Sequence, residues 1–508
     1  MYHRGHISKV RLFSCPAAIC ILAARKETIL SPLHWSYQIV YIVRMTIWIP
    51  NLAGREGPRY RAIADALAED VASGHLPAGT RLPTHRDLAY RLGVTVGTVT
   101  RAYAEAERRG LIGGEVGRGT FVQGRQPALT NNPLAWHRPP ESSAINMTAV
   151  TPFQTGAEQA ISQALMAIAT SGMAEQLVTY APHAGLASHR AAAAQWLARQ
   201  HRVTASPDSI LVTTGVQNGM AVALASVARA GDVVLTERLT NYGMRALATT
   251  LQLHLEGVAL DEHGLMPDAL DAACRRLAPK VLYTVPTLQN PTASVMPRAR
   301  REEIVAICRR HGVTIVEDDI FGFLIKDATP IQTIAPDITI YLSGVSKSVA
   351  AGLRVGYMVA PPALVGRLEA TIRALHYSSP PLPSEVVTRW ILDGHADRMA
   401  ELQRVESAAR QAIARAVLPA SAVCGHPAGL HLWLVLPEPW RHDEFVTETR
   451  RRGVVVIGSD TFAVARTGAP HAVRIGLCMP HTREEVARGI GILADTLASP
   501  AGAALSIV

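Results

Sequence analysis

The chain has 508 residues, a formal net charge of +9, and a composition that is 48% hydrophobic and 18% charged. That length predicts two or three domains, and the balance excludes a disordered chain. Six scattered cysteines with no Cys-x-x-Cys pair exclude a disulfide scaffold and a zinc ribbon, and fit a reducing cytoplasm. The positive charge suits a polyanionic partner.

Residues 1–55 read as a leader. Leu12 to Ala24 is an apolar run behind His, Arg and Lys, in the manner of a secretory signal, and the run Ile39 to Val43 is cut short by Arg44. Neither reaches the ~18 apolar residues that a membrane helix needs, so no membrane partner is expected. Translation is expected to start at Met45.

Residues 56–124 carry helical periodicity and then a Gly-punctuated strand pair. Thr84-His-Arg-Asp87 has the form of a capping box, with Thr at the N-cap and an acid three residues on. Leu88 and Leu92 continue an apolar stripe, and Gly93 breaks the helix. Thr95 is the candidate N-cap of the next helix, with Val99, Tyr103 and Ala106 facing inward. Two short helices joined by a Gly-containing turn make a helix-turn-helix pattern. The first turn of the second helix offers Thr95, Gly97 and Thr98, with Arg101 a turn later. Small polar residues let a helix enter the major groove closely, and Arg86 and Arg101 can reach phosphates or guanine edges. A tight turn at Gly117-Arg118-Gly119 would form a wing presenting Arg118. On periodicity alone, a small helical domain with solvated arginines fits as well.

The fuller pattern is more specific. Gly74-His-Leu-Pro77-Ala-Gly79-Thr-Arg81-Leu-Pro83, Leu88-Ala89, Gly93-Val-Thr95, Thr98-Val-Thr-Arg101-Ala-Tyr103 and Gly117-Arg-Gly119-Thr resemble the winged helix of GntR-type bacterial regulators. The resemblance implies a double-stranded DNA operator as partner. His85 stands where that family usually has Ser, and Gly97 where it usually has a polar residue. Both departures bear on operator sequence.

Arg125 to Ser143 is rich in Pro, Asn and Arg and reads as a linker, 125–144. From 145 to 498, short β-branched runs alternate with Ala/Arg/Leu-rich helical stretches, leaving 499–508 as a tail. Strands are predicted at 210–213, 233–235, 281–283, 313–316 and 338–342, which indicates a mostly parallel sheet. Residues 429–436 and 453–457 suggest a smaller α+β lobe.

Lys347 is the most telling residue of this region. The chain uses Arg for nearly all its positive charge and has only five lysines. An ε-amine can condense with a carbonyl and a guanidinium cannot, so this lysine after a strand suggests an amine kept for carbonyl chemistry. Pyridoxal 5'-phosphate needs an amine, an acid for its ring nitrogen, a donor for its ring hydroxyl, groups for its phosphate, and a flat surface. Asp318 follows the strand 313–316 and supplies the acid. Asn290 supplies the donor, Val216 and Gln217 offer amides at a helix start, and Arg354 adds a fixed positive charge. Tyr242 can lie over the ring, and Arg474 could pair with an amino-acid carboxylate. No metal is expected.

Jointly and in this order, these residues resemble the fold-type-I, aspartate aminotransferase-like family. The resemblance implies that Lys347 is the Schiff-base lysine, Asp318 the ring-nitrogen partner and Asn290 the ring-oxygen donor. Tyr242 would stack, while Arg354, Ser346 and the Val216 and Gln217 amides would hold the phosphate. Arg474 would clamp a carboxylate. Tyr180 matches a tyrosine that reaches the neighbouring subunit's phosphate, which implies a homodimer. Two residues depart from the pattern. Phe321 stands where a Tyr usually donates to the ring oxygen, and Gly344 where a Ser usually offers a hydroxyl to the phosphate.

A winged helix linked to such a body is similar to the MocR-type branch of GntR regulators. The expected fold is α/β: a winged helix-turn-helix, then a large transferase-like domain with a small C-terminal α+β lobe. The expected function is a DNA-binding transcriptional regulator. It would sense an amine, an amino acid or the cofactor itself, through external aldimine formation. The alternative is an active aminotransferase with an attached DNA-binding module.

Overall fold

The structure is a computed structural model that describes residues 48–52, 58–72, 75–77, 80–108, 111–115, 119–122, 144–153, 157–465 and 469–499. The expected start at Met45, the Arg118 wing tip and the expected linker up to Ser143 lie outside these residues. The chain divides into two compact units between Arg125 and Gln126.

The smaller unit holds α1 (Arg59–Ala72), α2 (His85–Leu92), α3 (Val96–Arg108), and the antiparallel strands β1 (Ile112–Glu115) and β2 (Gly119–Val122). Local chemistry sets the boundaries. The Thr84 hydroxyl accepts from the Asp87 amide at 3.3 Å and starts α2. Gly93 ends it in a left-handed turn, φ 64°, that few other residues adopt. Thr95 accepts from the Thr98 amide at 3.2 Å and starts α3. Ile63, Leu67, Leu88, Val99, Ala102, Tyr103, Ile112 and Val122 close one core. Burial of each large apolar side chain stabilises the unit by about 1.5–3 kcal/mol.

In the larger unit, seven strands form one sheet: β3 (Ile210–Thr213), β4 (Val233–Glu237), β5 (His254–Val258), β6 (Val281–Thr284), β7 (Thr314–Asp318), β8 (Thr339–Gly344) and β9 (Gly356–Val359), in the order β3-β9-β8-β7-β6-β4-β5. Strands β5, β4, β6, β7 and β8 run parallel. β9 runs antiparallel to both β8 and β3. Every residue of β3, β6, β8 and β9 is buried, as expected for a sheet covered on both faces. The topology gathers the ends that matter: the carboxyl ends of β3, β4, β6, β7 and β8 share one rim, and reversed β9 starts there. Ligands of open α/β sheets bind at such a rim.

All five expected strands are present. β5 and β9 were not expected, because His-Leu-Glu-Gly-Val and Gly-Tyr-Met-Val lack a β-branched run. The smaller lobe carries β10 (Val423–Cys424), β11 (His431–Val435), β12 (Ile457–Gly458) and β13 (Ala472–Gly476), ordered β10-β11-β13-β12 and antiparallel. Its core includes Leu432, Leu434, Phe445, Val473, Ile475 and Leu493. Ile145–Asn146 pairs with Val454–Val455 and ties the start of the larger unit to this lobe. No helix among the described residues is long and apolar enough to cross a membrane.

Candidate cofactor pocket and nucleic-acid face

A cavity of about 350 Å³ opens at the rim where the strand ends meet. It brings together Lys347, Asp318, Asn290, Tyr242, Val216, Gln217, Ser346, Arg354 and Arg474. Those residues come from five different strand ends and from the small lobe. Of the expected cofactor residues, Tyr180 alone is not part of it. Its side chain is 82% exposed, and its ring rests 4.6 Å from that of Tyr377.

Lys347 lies three residues past β8. Its Nζ donates to the Val150 carbonyl. Burial pulls the amine down to about 8. Arg474 and Arg354 push the same way, against Cys478 and Asp318. An amine in that range is neutral, and nucleophilic, in a useful fraction of molecules near neutral pH.

Asp318 ends β7 and is buried. Its Oδ2 accepts from the Tyr283 hydroxyl at 2.8 Å, and its Oδ1 from the Ile320 amide at 3.2 Å. Burial raises the carboxyl to about 6, and those two donors oppose the rise. Tyr283 is a residue that the sequence reading missed. Its only signal is a tyrosine inside an otherwise aliphatic buried strand.

Arg474 sits in the middle of β13 and is 2% exposed. One terminal nitrogen donates to Asn290 Oδ1 at 2.8 Å, and the other to the Thr148 carbonyl at 2.6 Å. The guanidinium lies 4.7 Å from the centre of the Phe462 ring. Its Nε is buried with no partner, which is costly for a cation unless an anion arrives. Burial lowers its pKa to about 10, so it stays charged. Because a guanidinium has no acceptor, Asn290 must give it the amide oxygen. The Asn290 NH2 is thereby left to donate elsewhere.

The other end of the cavity is a cradle. Gly215 has φ 80°, and a Cβ there would stand 2.7 Å from an Arg354 nitrogen. Gly356 is equally confined, since a Cβ would meet Gly215 C at 2.7 Å. Arg354 donates to Ser346 Oγ at 3.5 Å. The 12-residue helix Val216–Val227 starts here with its positive dipole end. Gln217 Nε2 donates to the Gly243 carbonyl at 3.2 Å. Tyr242 begins the helix Tyr242–Thr250, whose cap is Asn241.

Both departures have structural counterparts. Phe321 lines the cavity, is 3% exposed, and packs 5.6 Å from the His431 ring. Burial holds His431 down to about 3, so that ring is neutral. A Cβ at Gly344 would approach the Val355 carbonyl to 2.7 Å, so this backbone has no room for a serine there.

On the smaller unit, Arg86, Thr95, Gly97 and Arg101 are exposed and Thr98 is half-buried. The Thr95 and Thr98 hydroxyls are 2.9 Å apart. His85 is not free to read DNA alone: its Nδ1 is 3.2 Å from Thr100 Oγ1, and its ring packs edge-on against Tyr103 at 4.9 Å. The Arg101 guanidinium lies 5.0 Å from the Tyr60 ring centre, a contact across α1 and α3 that the sequence reading also missed.

Comparison with known proteins agrees with both halves. Residues 147–493 match the aminotransferase class I and II family, and residues 59–122 match the bacterial regulatory proteins, gntR family. The uncharacterized HTH-type transcriptional regulator YdeF of Bacillus subtilis is 30% identical over 447 residues, covering 88% of this chain and 96% of that protein. The uncharacterized HTH-type transcriptional regulator YjiR of Escherichia coli is 28% identical over 409 residues, covering 75% and 86%. Among solved structures, an archaeal alanine:glyoxylate aminotransferase superposes with TM-score 0.65 at 23% identity, covering 70% of this chain and 91% of that one. LysN, the α-aminoadipate aminotransferase of Thermus thermophilus, does so with TM-score 0.62 at 23% identity, covering 70% and 92%. The chain therefore belongs to the aminotransferase class I and II family, in the MocR-type branch that carries a gntR-family winged helix ahead of that domain.

Proposed function

We propose that this protein is a DNA-binding transcriptional regulator whose aminotransferase-like body binds pyridoxal 5'-phosphate and senses an amine or amino acid there. The observation that carries the reading is the meeting of Lys347, Asp318, Arg354 and Arg474 around one cavity, in a chain that also exposes Arg101 and the start of α3. The cavity fits the group in its own chemistry. The Gly215–Arg354 cradle and the helix start suit a phosphate, buried Asp318 suits a cationic ring nitrogen, and the unpartnered Arg474 Nε suits an anion.

When bound, the cofactor supplies an aldehyde for amines and an electron-withdrawing ring. The chain's own residues do the rest. Lys347 would hold the cofactor's aldehyde carbon and could give way to a competing amine. Asp318 would favour a protonated ring nitrogen. Arg474 would take an effector carboxylate, and Asn290, bonded to it, would be left with its NH2 to donate. Val150, whose carbonyl accepts from Lys347, and Thr148, whose carbonyl accepts from Arg474, belong to one short segment. An effector that displaces either bond therefore disturbs the same stretch of backbone. Such an effector shifts DNA affinity only by its difference in affinity for the two states.

The test pairs two measurements on one purified protein. A panel of amines and amino acids should change the cofactor absorbance, and the active ones should change binding to a duplex from the gene's own upstream region. Steady keto-acid production from the same panel, with DNA affinity unmoved, would establish the transaminase reading instead.

A further inference from the structure

We propose that Tyr283 is a positioning residue: it holds Asp318 in the orientation and charge that a pyridine nitrogen requires. The inference rests on the cofactor reading above.

Hydrogen-bond directions carry the argument. A phenol has one proton. An ionised carboxylate can only accept, so the Tyr283 proton goes to Asp318 Oδ2, 2.8 Å away. The direction of this bond is therefore set by the acid that it serves.

The opposite carboxylate oxygen is held by the Ile320 amide. Each oxygen of a carboxylate accepts at two positions, so two donors leave room for a ring N–H while preventing rotation. Tyr283 and Asp318 are both buried, so water cannot replace the phenol. The ionisable groups that bear on Asp318 are the neutral Tyr283 phenol from β6, Asp319 next in the chain, and Lys347 beyond β8. Asp319 opposes ionisation and Lys347 assists it. The Tyr283 hydroxyl and the Ile320 amide are the donors bonded directly to the carboxylate and favour its anion.

The sign follows directly. Removing a donor to a carboxylate raises its pKa, so the charged form disappears at a higher pH as acid is added. In full-length protein, Tyr283→Phe should lower affinity for pyridoxal 5'-phosphate about tenfold at pH 6–7, by equilibrium dialysis, which is one pKa unit. The acid limb of the absorbance–pH curve should move up by about one unit. A folded Tyr283→Phe protein with wild-type affinity and an unmoved limb overturns the proposal. Tyr283→Phe that melts at the wild-type temperature but shows the shift excludes a merely structural role. Should wild-type protein fail to bind the cofactor at all, the cofactor reading itself fails.

Discussion

The two units keep their charges in opposite ways. On the winged helix, Arg86 and Arg101 stand in water, and the nearest constraint on Arg101 is the face of Tyr60. In the larger unit, Asp318 and Arg474 are buried and Lys347 nearly so, and each is shifted first by loss of solvent. Exposed cations act through counterion release, so their effects are additive, graded and salt-dependent. Buried charges act through fixed partners, so one substitution strands several groups at once. The contrast predicts abrupt, pH-sensitive variants in the pocket and mild, salt-sensitive ones on α3.

The largest expected effect is Lys347→Ala. The protein-bound cofactor absorbance should vanish, while binding to a random-sequence duplex stays within twofold of wild type. Next is Arg474→Met, which leaves Asn290 Oδ1 and the Thr148 carbonyl without their donor. Two bonds to a charged group total about 4 kcal/mol, so the melting temperature should fall by several degrees, and carboxylate-bearing effectors should lose their spectral response. An unchanged melt would erase the claimed difference between the units.

A smaller, continuous effect comes from pH. Burial depresses Lys347 to about 8 from its ordinary 10.5. The reactive neutral amine therefore grows tenfold per unit as pH rises toward 8 and levels above it. Stopped-flow capture of pyridoxal 5'-phosphate should trace that curve. A rise continuing to pH 10 would mean that the amine is not buried in solution. Arg101→Ala should cost about 1 kcal/mol of DNA affinity and reduce the log–log salt slope by about one. Smallest is Tyr60→Leu, which should lose about 0.5–1 kcal/mol of DNA affinity by freeing Arg101, with Tyr60→Phe restoring it. If Tyr60→Leu matches wild type across salt, the stacking does not prepare Arg101 for DNA.

Much of this architecture was legible before any coordinates. Five strands announce themselves as short apolar runs, which a sheet covered on both faces favours, whereas the equally buried β9, Gly-Tyr-Met-Val, does not. Capping residues Thr84, Gly93 and Thr95 act within four residues of themselves, so short-range chemistry suffices to read them. The pocket residues were legible as a set through their resemblance to the aminotransferase pattern, helped by the placement of most of them after strand ends. What stayed hidden depends on distant partners. Arg474 was named through the resemblance, but its partners Asn290, Thr148 and Phe462, from three other segments, were not. Tyr283 reads as core packing until Asp318 arrives beside it, and Tyr60 as a helix-start aromatic until α3 lays Arg101 on it. Edge strand β5 carries His and Glu in place of an apolar run, which hides it from pattern reading.

The missing carbon at Gly344 has a lasting consequence. A side chain there would collide with the carbonyl of Val355, the residue that follows Arg354. A serine could return only if the start of β9 moved aside, and Arg354 would move with it. A hydroxyl-bearing side chain at 344 and the present arginine cradle are therefore in conflict in this backbone. Gly344→Ser should disturb the position of Arg354 and not simply add a hydroxyl, because the atoms that it would strike are backbone.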